Sequence, residues 1–204
     1  MKNIVLQNLV FLLATTVPLW GAPQSFDFKD PKGVNNVVFK LDAPLESING
    51  TASGISGTVH YDPAAPASLK GRIVLATASL HVGNPTMKEH MHGKDWMDVA
   101  QHPEIVFEAI SARPGAAAGD TVTADVTGKL TVKGLTKEMT IPVKLTYLKD
   151  RLKDRFPQKQ GDLLVIRSTF KIKRSDFGIN AGKAEDKVAD EIELNLSLAG
   201  MAPR

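Results

Sequence analysis

Between Val122 and Val132 the even positions read Val122, Ala124, Val126, Gly128, Leu130 and Val132, and the odd ones Thr123, Asp125, Thr127, Lys129 and Thr131. Strict alternation sends the two sets to opposite faces of an extended strand, so the stretch has one dry face and one wet face. Lys133-Gly134-Leu135-Thr136 interrupts the pattern, with Gly134 as the turn residue. The alternation resumes with Met139, Ile141, Val143, Leu145 and Tyr147 inward and Glu138, Thr140, Lys144 and Thr146 outward. At about 3.3 Å per residue each arm can run for roughly 35–40 Å. Half-buried strands of that length predict a deep antiparallel barrel or sandwich.

The remaining segments supply partners for this hairpin. Gln24–Lys29 reads as a short first strand, Asn36–Leu41 as a second with Val37 and Phe39 on one face, and Ile48–Tyr61 as a glycine-rich strand with bends. Leu69–Leu80, with Leu75 in its apolar middle, Glu104–Ile110, with Ile105 and Phe107 on one face, and Leu163–Lys173, with Phe170 inward, are further strands. Ile192, Leu194, Leu196 and Leu198 alternate with polar residues in the last one. Asn84–Val99 is the one helical candidate of the chain after residue 22, interrupted by Gly93. Arg113–Gly119 reads as a flexible loop and Lys149–Asp162 as a charged, mobile one. The fold class expected is all-β: an extended antiparallel eight-stranded barrel with a short helical insert. A barrel of about eight strands is either filled by its own side chains or holds one ligand. Small residues in the inward row favour a hollow interior, while the helix and loops could equally fill it.

Composition narrows the function. With 204 residues and no internal repeat, one domain is expected after the N-terminal segment. The absence of cysteine removes disulfides, thiolate metal sites and thiol catalysis. Lys and Arg are scattered over polar faces and the net charge is only +3, so no nucleic-acid partner is expected. Residues 1–22 read as a signal peptide: Lys2 precedes the apolar or small run Ile4–Val17, and Trp20-Gly21-Ala22 offers small residues at a cut. The run is too short for an ordinary membrane span. An uncleaved anchor is the alternative, and Trp20 leaves the exact cleavage position open. Of the 25 basic residues only Lys2 lies in this segment, so residues 23–204 carry 24 against 22 acidic ones. Export to the periplasm or medium follows from this reading.

Four motifs, in order, resemble the YceI-like family of exported, lipocalin-like barrels. They are Asp95-Trp96-Met97-Asp98-Val99, His102-Pro103-Glu104-Ile105-Val106-Phe107, Leu130-Thr131-Val132-Lys133-Gly134-Leu135-Thr136-Lys137 and Ile172-Lys173-Arg174-Ser175-Asp176-Phe177-Gly178-Ile179. Gly57-Thr58-Val59 with Asp62-Pro63, and Asp190-Glu191, also fit, so the resemblance spans about residues 24–199. It departs at Met87-Lys88-Glu89-His90-Met91, where the family often has Arg-Asp ahead of His-Leu. It departs also at Trp96 and Met97, which replace two Phe, and at Val34-Asn35-Asn36, which replaces a His-Ser. The resemblance implies a periplasmic barrel that binds one long-chain amphiphile, typically a polyisoprenoid such as a quinone or prenyl chain. The residues expected to line that ligand are Val37, Phe39, Leu75, Phe107 and Phe170, and from the central hairpin Ala124, Val126, Gly128, Leu130, Ile141, Val143 and Leu145. Met91, Trp96 and Met97 are expected to close one end. No cofactor is expected beyond such a lipid. Membrane contact for lipid exchange and a homodimer are carried as further expectations.

The other readings are weaker. His90 and His92 lie two apart, about 200° around a helix, and cannot share an ion. No H-E-x-x-H is present, so no metal site is expected. His90 or His92 at the cavity mouth could instead meet a ligand head group. Arg174-Ser175-Asp176 is expected to brace a turn by charge-assisted hydrogen bonds, and Arg167 to be exposed. Glu104 and Glu108 share a strand face, but acid–base work would need burial to shift them. A filled-barrel stress or interaction protein, and a secreted hydrolase on the same scaffold, are the alternatives to a binding function.

Overall fold

A computed structural model describes residues 23–204; the signal-peptide reading of residues 1–22 lies outside the described residues. Three strand positions are split. β1 (Gln24–Asp27) and β2 (Asn36–Asp42) form the first, β3 (Ser47–Ala52) and β4 (Ile55–Tyr61) the second, and β5 (Lys70–Ala76) and β6 (His81–Val82) the third. β1 pairs with β4 and β2 with β3, while β4 pairs with β5 and β3 with β6. Five continuous strands follow: β7 (Glu104–Ala118), β8 (Thr121–Val132), β9 (Leu135–Leu148), β10 (Gly161–Lys173) and β11 (Glu191–Pro203). Each pairs antiparallel with the next, and β5 pairs with β7. β11 returns to the beginning, with Met201 opposite Asp27 and Glu193–Ser197 opposite β2. Three split and five continuous positions thus make a closed eight-stranded antiparallel barrel, which leaves few unpaired strand edges.

The central hairpin keeps the register its alternation demands, with Val126 opposite Ile141 and Ala124 opposite Val143. Lys133 and Gly134 have φ of 47° and 76°, the left-handed pair that a tight two-residue hairpin turn requires. On the outer face three threonine pairs join β8 to β9 through their hydroxyls: Thr121–Thr146, Thr127–Thr140 and Thr131–Thr136, at 2.7–2.8 Å. Where β1 breaks from β2, a buried asparagine replaces the missing ladder. Asn35 Nδ2 donates to the carbonyls of Phe28 (3.0 Å) and Ala199 (3.1 Å), and its Oδ1 accepts from the Ala199 N–H at 2.8 Å.

Three expectations need correction. Residues 113–118 are strand rather than flexible loop: register shifts between Ala109 and Ser111 and between Pro114 and Ala117 let β7 absorb a proline that has no N–H for the ladder. The helix is shorter than Asn84–Val99. α1 (Pro85–His92) is capped by Asn84, whose Oδ1 accepts from the Met87 N–H at 3.0 Å, and Gly93 ends it. Residues 149–162 hold a helical turn, α2 (Leu152–Arg155), whose Leu152 is fully buried against Leu163 and Met201. α1 and the connection of residues 174–190 cover one end of the barrel; α2 lies at the other.

Candidate functional site

The barrel is hollow. A cavity of about 540 Å³ runs down its interior from the α1 end, inside the range of ~300–1,000 Å³ typical of ligand sites. Its wall repeats the inward alternation of the strands. Val126, Leu130 and Val132 come from β8, Ile141, Val143 and Leu145 from β9, Ile166 and Phe170 from β10, and Val37 and Phe39 from β2. Leu75 and Phe107 face it from β5 and β7. The inward leucines Leu194 and Leu196 of β11 are only half-buried, as expected of side chains that look into a void rather than into packed neighbours. Met91 and Trp96, both half-buried, and buried Met97 close the α1 end.

The structure therefore puts Val37, Phe39, Leu75, Met91, Trp96, Met97, Phe107, Val126, Leu130, Ile141, Val143, Leu145 and Phe170 on one wall. Ala124 and Gly128, also expected to line the ligand, lie outside that wall. Gly128 is covered by the Phe107 ring from the adjacent strand, so close that an added Cβ would lie 2.6 Å from the ring edge. Ala124 is buried opposite Val143 of β9; at the end of the barrel away from α1 the rings of Phe26 and Tyr147 meet edge-to-face at 6.3 Å.

Polar groups on the wall are few, and two of them are already satisfied. Ser168 Oγ donates to the Pro142 carbonyl at 2.6 Å. Arg174 is fully buried and donates all five N–H groups to backbone carbonyls: Nε to Ala189 (3.1 Å), Nη1 to Ile179 (3.0 Å) and Asn180, Nη2 to Lys183 (2.7 Å) and Val188 (3.1 Å). Its guanidinium also lies 5.7 Å from the centre of the Trp96 ring, within cation–π range. Arg174 is a brace for residues 179–189, with no donor left for a ligand. The carboxylate beside it in sequence is not its partner. Asp176 is exposed and 3.7 Å from Lys137, whereas Asp190 accepts from the Ser175 N–H (2.9 Å) and Oγ (2.8 Å). Burial pushes the Asp190 carboxyl up, but these hydrogen bonds and the nearby Arg174 and Lys173 charges outweigh it and hold it below its usual value.

The remaining polar groups gather at the α1 end: Glu46, Asn84, Thr86, His90 and Lys187. His90 is exposed on this rim, and His92 is not a head-group candidate, because its Nε2 lies 2.8 Å from the Leu80 carbonyl. Among the described residues no group of three or more acidic or histidine side chains could share a metal ion. Glu104 and Glu108 lie exposed on the outer face, with Glu104 3.3 Å from Arg72. Sequence reasoning omitted the Ile192, Leu194, Leu196 and Leu198 row from the wall, although its alternation was visible. It omitted Glu46, Thr86 and Lys187 for a different reason: three separate connections meet only in the folded barrel.

Residues 31–199 match the YceI-like domain. A UPF0312 protein of Pseudomonas savastanoi pv. phaseolicola is 31% identical over 154 residues, 76% of this chain and 73% of its own length. Protein YceI of Salmonella newport is 28% identical over 203 residues, 98% of this chain and 97% of its own. Among solved structures, BcnA of Burkholderia cenocepacia superposes with a TM-score of 0.66 at 26% identity, over 81% of this chain and 95% of that one. A domain from Saccharophagus degradans, described as a polyisoprenoid binding domain implicated in plant cell wall breakdown, superposes with a TM-score of 0.63 over 90% of this chain and 100% of its own. At 14% identity that last likeness speaks for the fold. Matched in sequence over most of its length, the chain belongs to the YceI-like domain family.

Proposed function

We propose that this protein is an exported, non-enzymatic binding protein that encloses one long-chain amphiphilic lipid of the polyisoprenoid type and exchanges it at a membrane surface. The observation that carries the reading is the cavity: apolar along its length, with exposed polar side chains gathered at the α1 end. Such a shape favours a long apolar chain inside and a polar head at Glu46, Thr86, His90 and Lys187. Each CH₂ removed from water contributes roughly 0.8 kcal/mol, so a chain of many carbons binds tightly with few polar contacts. The Saccharophagus domain described as polyisoprenoid-binding supports the same ligand class, and the apolar run of residues 4–17 supports export.

The test is organic extraction of protein purified from the periplasmic fraction, read by mass spectrometry. The expected result is a long-chain isoprenoid at close to one per protein, on a chain that starts near Pro23. An extract without long-chain lipid, from protein that also fails to take up an added isoprenoid quinone, would overturn the reading.

A further inference from the structure

Charged residues that face each other across neighbouring strands follow a rule in this barrel. Glu108 lies between Arg72 and Lys129, and Lys129 also faces Glu138. Arg113 faces Asp125, Glu193 lies between Lys40 and Lys171, and Lys173 faces Glu191. Among the described residues, Lys144 opposite Arg167 is the exception, a like-signed pair of Asp, Glu, Lys or Arg placed directly across a ladder. Directly opposed like charges destabilise a sheet, so something should compensate this pair.

Among the described residues nothing does so. The other strand neighbours of Lys144 and Arg167 are Thr123 and Ser197. Arg167 is exposed, and its guanidinium is bonded only through Nη1, at a long 3.4 Å to the carbonyls of Ile166 and Leu198. Lys144 forms no ion pair among the described residues. Both sit in a groove of about 580 Å³ on the outer wall, which they share with Thr123, Thr169 and Asn195. The acid in that groove, Asp125, is held by Arg113 at 2.6 Å. The groove is thus concave, rich in donors and positively charged, and the sheet separates it from the interior cavity.

We propose that this outer groove is a second binding site, for an oxyanion of the phosphate class held between Arg167 and Lys144. Directly opposed side chains in a sheet have Cβ atoms about 4.5–5.5 Å apart, so both cations can converge on one anion. The planar guanidinium offers paired donors to two oxygens, and the ammonium adds a point charge. Thr169 and Asn195 supply neutral hydrogen-bonding groups to the rest of an esterified ligand.

The experiment uses the purified protein at low ionic strength. Inorganic phosphate and pyrophosphate are titrated against chloride at matched ionic strength, with the melting temperature and the amide shifts of β9 and β10 as readouts. Saturable binding is expected, with at least tenfold weakening in Arg167→Gln and in Lys144→Gln. Lys144→Glu is expected to lose phosphate binding and to melt higher than wild type without ligand, because it turns the like pair into an opposite one. Sedimentation with phosphatidylglycerol vesicles separates the sources of the phosphate. Sedimentation that Arg167→Gln abolishes places the phosphate on a lipid surface; phosphate binding without sedimentation places it in solution. Isoprenoid uptake should be unchanged in all three variants, so failure of this site is distinguishable from failure of the cavity. Equal responses to phosphate and chloride without sedimentation, or variants that bind as wild type does, would overturn the proposal.

Discussion

Arg174 shows how much one side chain can hold. Moving a guanidinium out of water costs several kcal/mol, and here the compensation comes from five backbone carbonyls between Ile179 and Ala189. Those carbonyls belong to a connection with little ladder pairing of its own. Replacing Arg174 by lysine leaves three donors for five acceptors, so at least two of these carbonyls lose their partner. Arg174→Lys should therefore lose about 3–5 kcal/mol of unfolding free energy, read from urea midpoints. A variant within about 1 kcal/mol of wild type would mean that the carbonyls find other partners. The sequence reading placed a brace at Arg174-Ser175-Asp176 and missed its anatomy. Local spacing pointed to Asp176, whereas the carboxylate that matters, Asp190, lies fifteen residues from Ser175, a distance only the fold can close.

At the scale of elements, the barrel end opposite α1 is tied by one polar network. Buried Asp162 at the start of β10 accepts from the Tyr147 hydroxyl of β9 (2.9 Å), from the Asp150 N–H (2.8 Å) and from Arg204 beyond β11 (2.6 Å). Burial pushes the Asp162 carboxyl up, but the hydrogen bonds from Asp150, Tyr147, Gln24 and Arg204 together hold it below its ordinary value. A depressed carboxyl contributes stability that is present above its unfolded value and is lost as pH falls through the folded one. Burial, then the hydrogen bond to Asp162, push the Tyr147 hydroxyl up to about 12. A raised tyrosine contributes stability that is whole below its unfolded value near 10 and is lost as pH climbs toward 12. Urea midpoints measured against pH should therefore fall on both sides, below about pH 4 and above about pH 10. Tyr147→Phe should flatten the alkaline side and leave much of the acid side in place. An alkaline limb unchanged in Tyr147→Phe would remove this hydroxyl from the account. None of this was legible beforehand. The alternation marks Tyr147 only as one more inward residue, and residues 149–162 read as mobile because the charges of Lys149, Asp150, Arg151 and Lys153 hide the anchor Leu152 and the half-buried Phe156 that packs with it. The central hairpin was legible throughout, because period-two alternation survives any tertiary context that keeps one face dry.

Across the whole molecule the open question for an eight-stranded barrel is whether its interior is packed or empty, and sequence could not decide it. Inward valines and leucines look alike whether they meet a neighbour or a void. The distinction comes from coverage: Phe107 folds over Gly128 and fills that spot, while Val126 two residues away stays on the cavity wall. This contrast sets an experiment within a single strand. Phenylalanine at a packed position forces its neighbours apart and typically costs about 1–3 kcal/mol. Ala124→Phe, off the wall and buried, should pay that penalty. Val126→Phe should grow into empty space, so its stability should match or exceed that of the wild type while uptake of a long-chain isoprenoid quinone falls at least tenfold. Both variants can be melted and titrated side by side. If Val126→Phe is destabilised as much as Ala124→Phe and its isoprenoid binding is unchanged, the void does not hold the ligand, and the binding function would have to be sought outside the barrel interior.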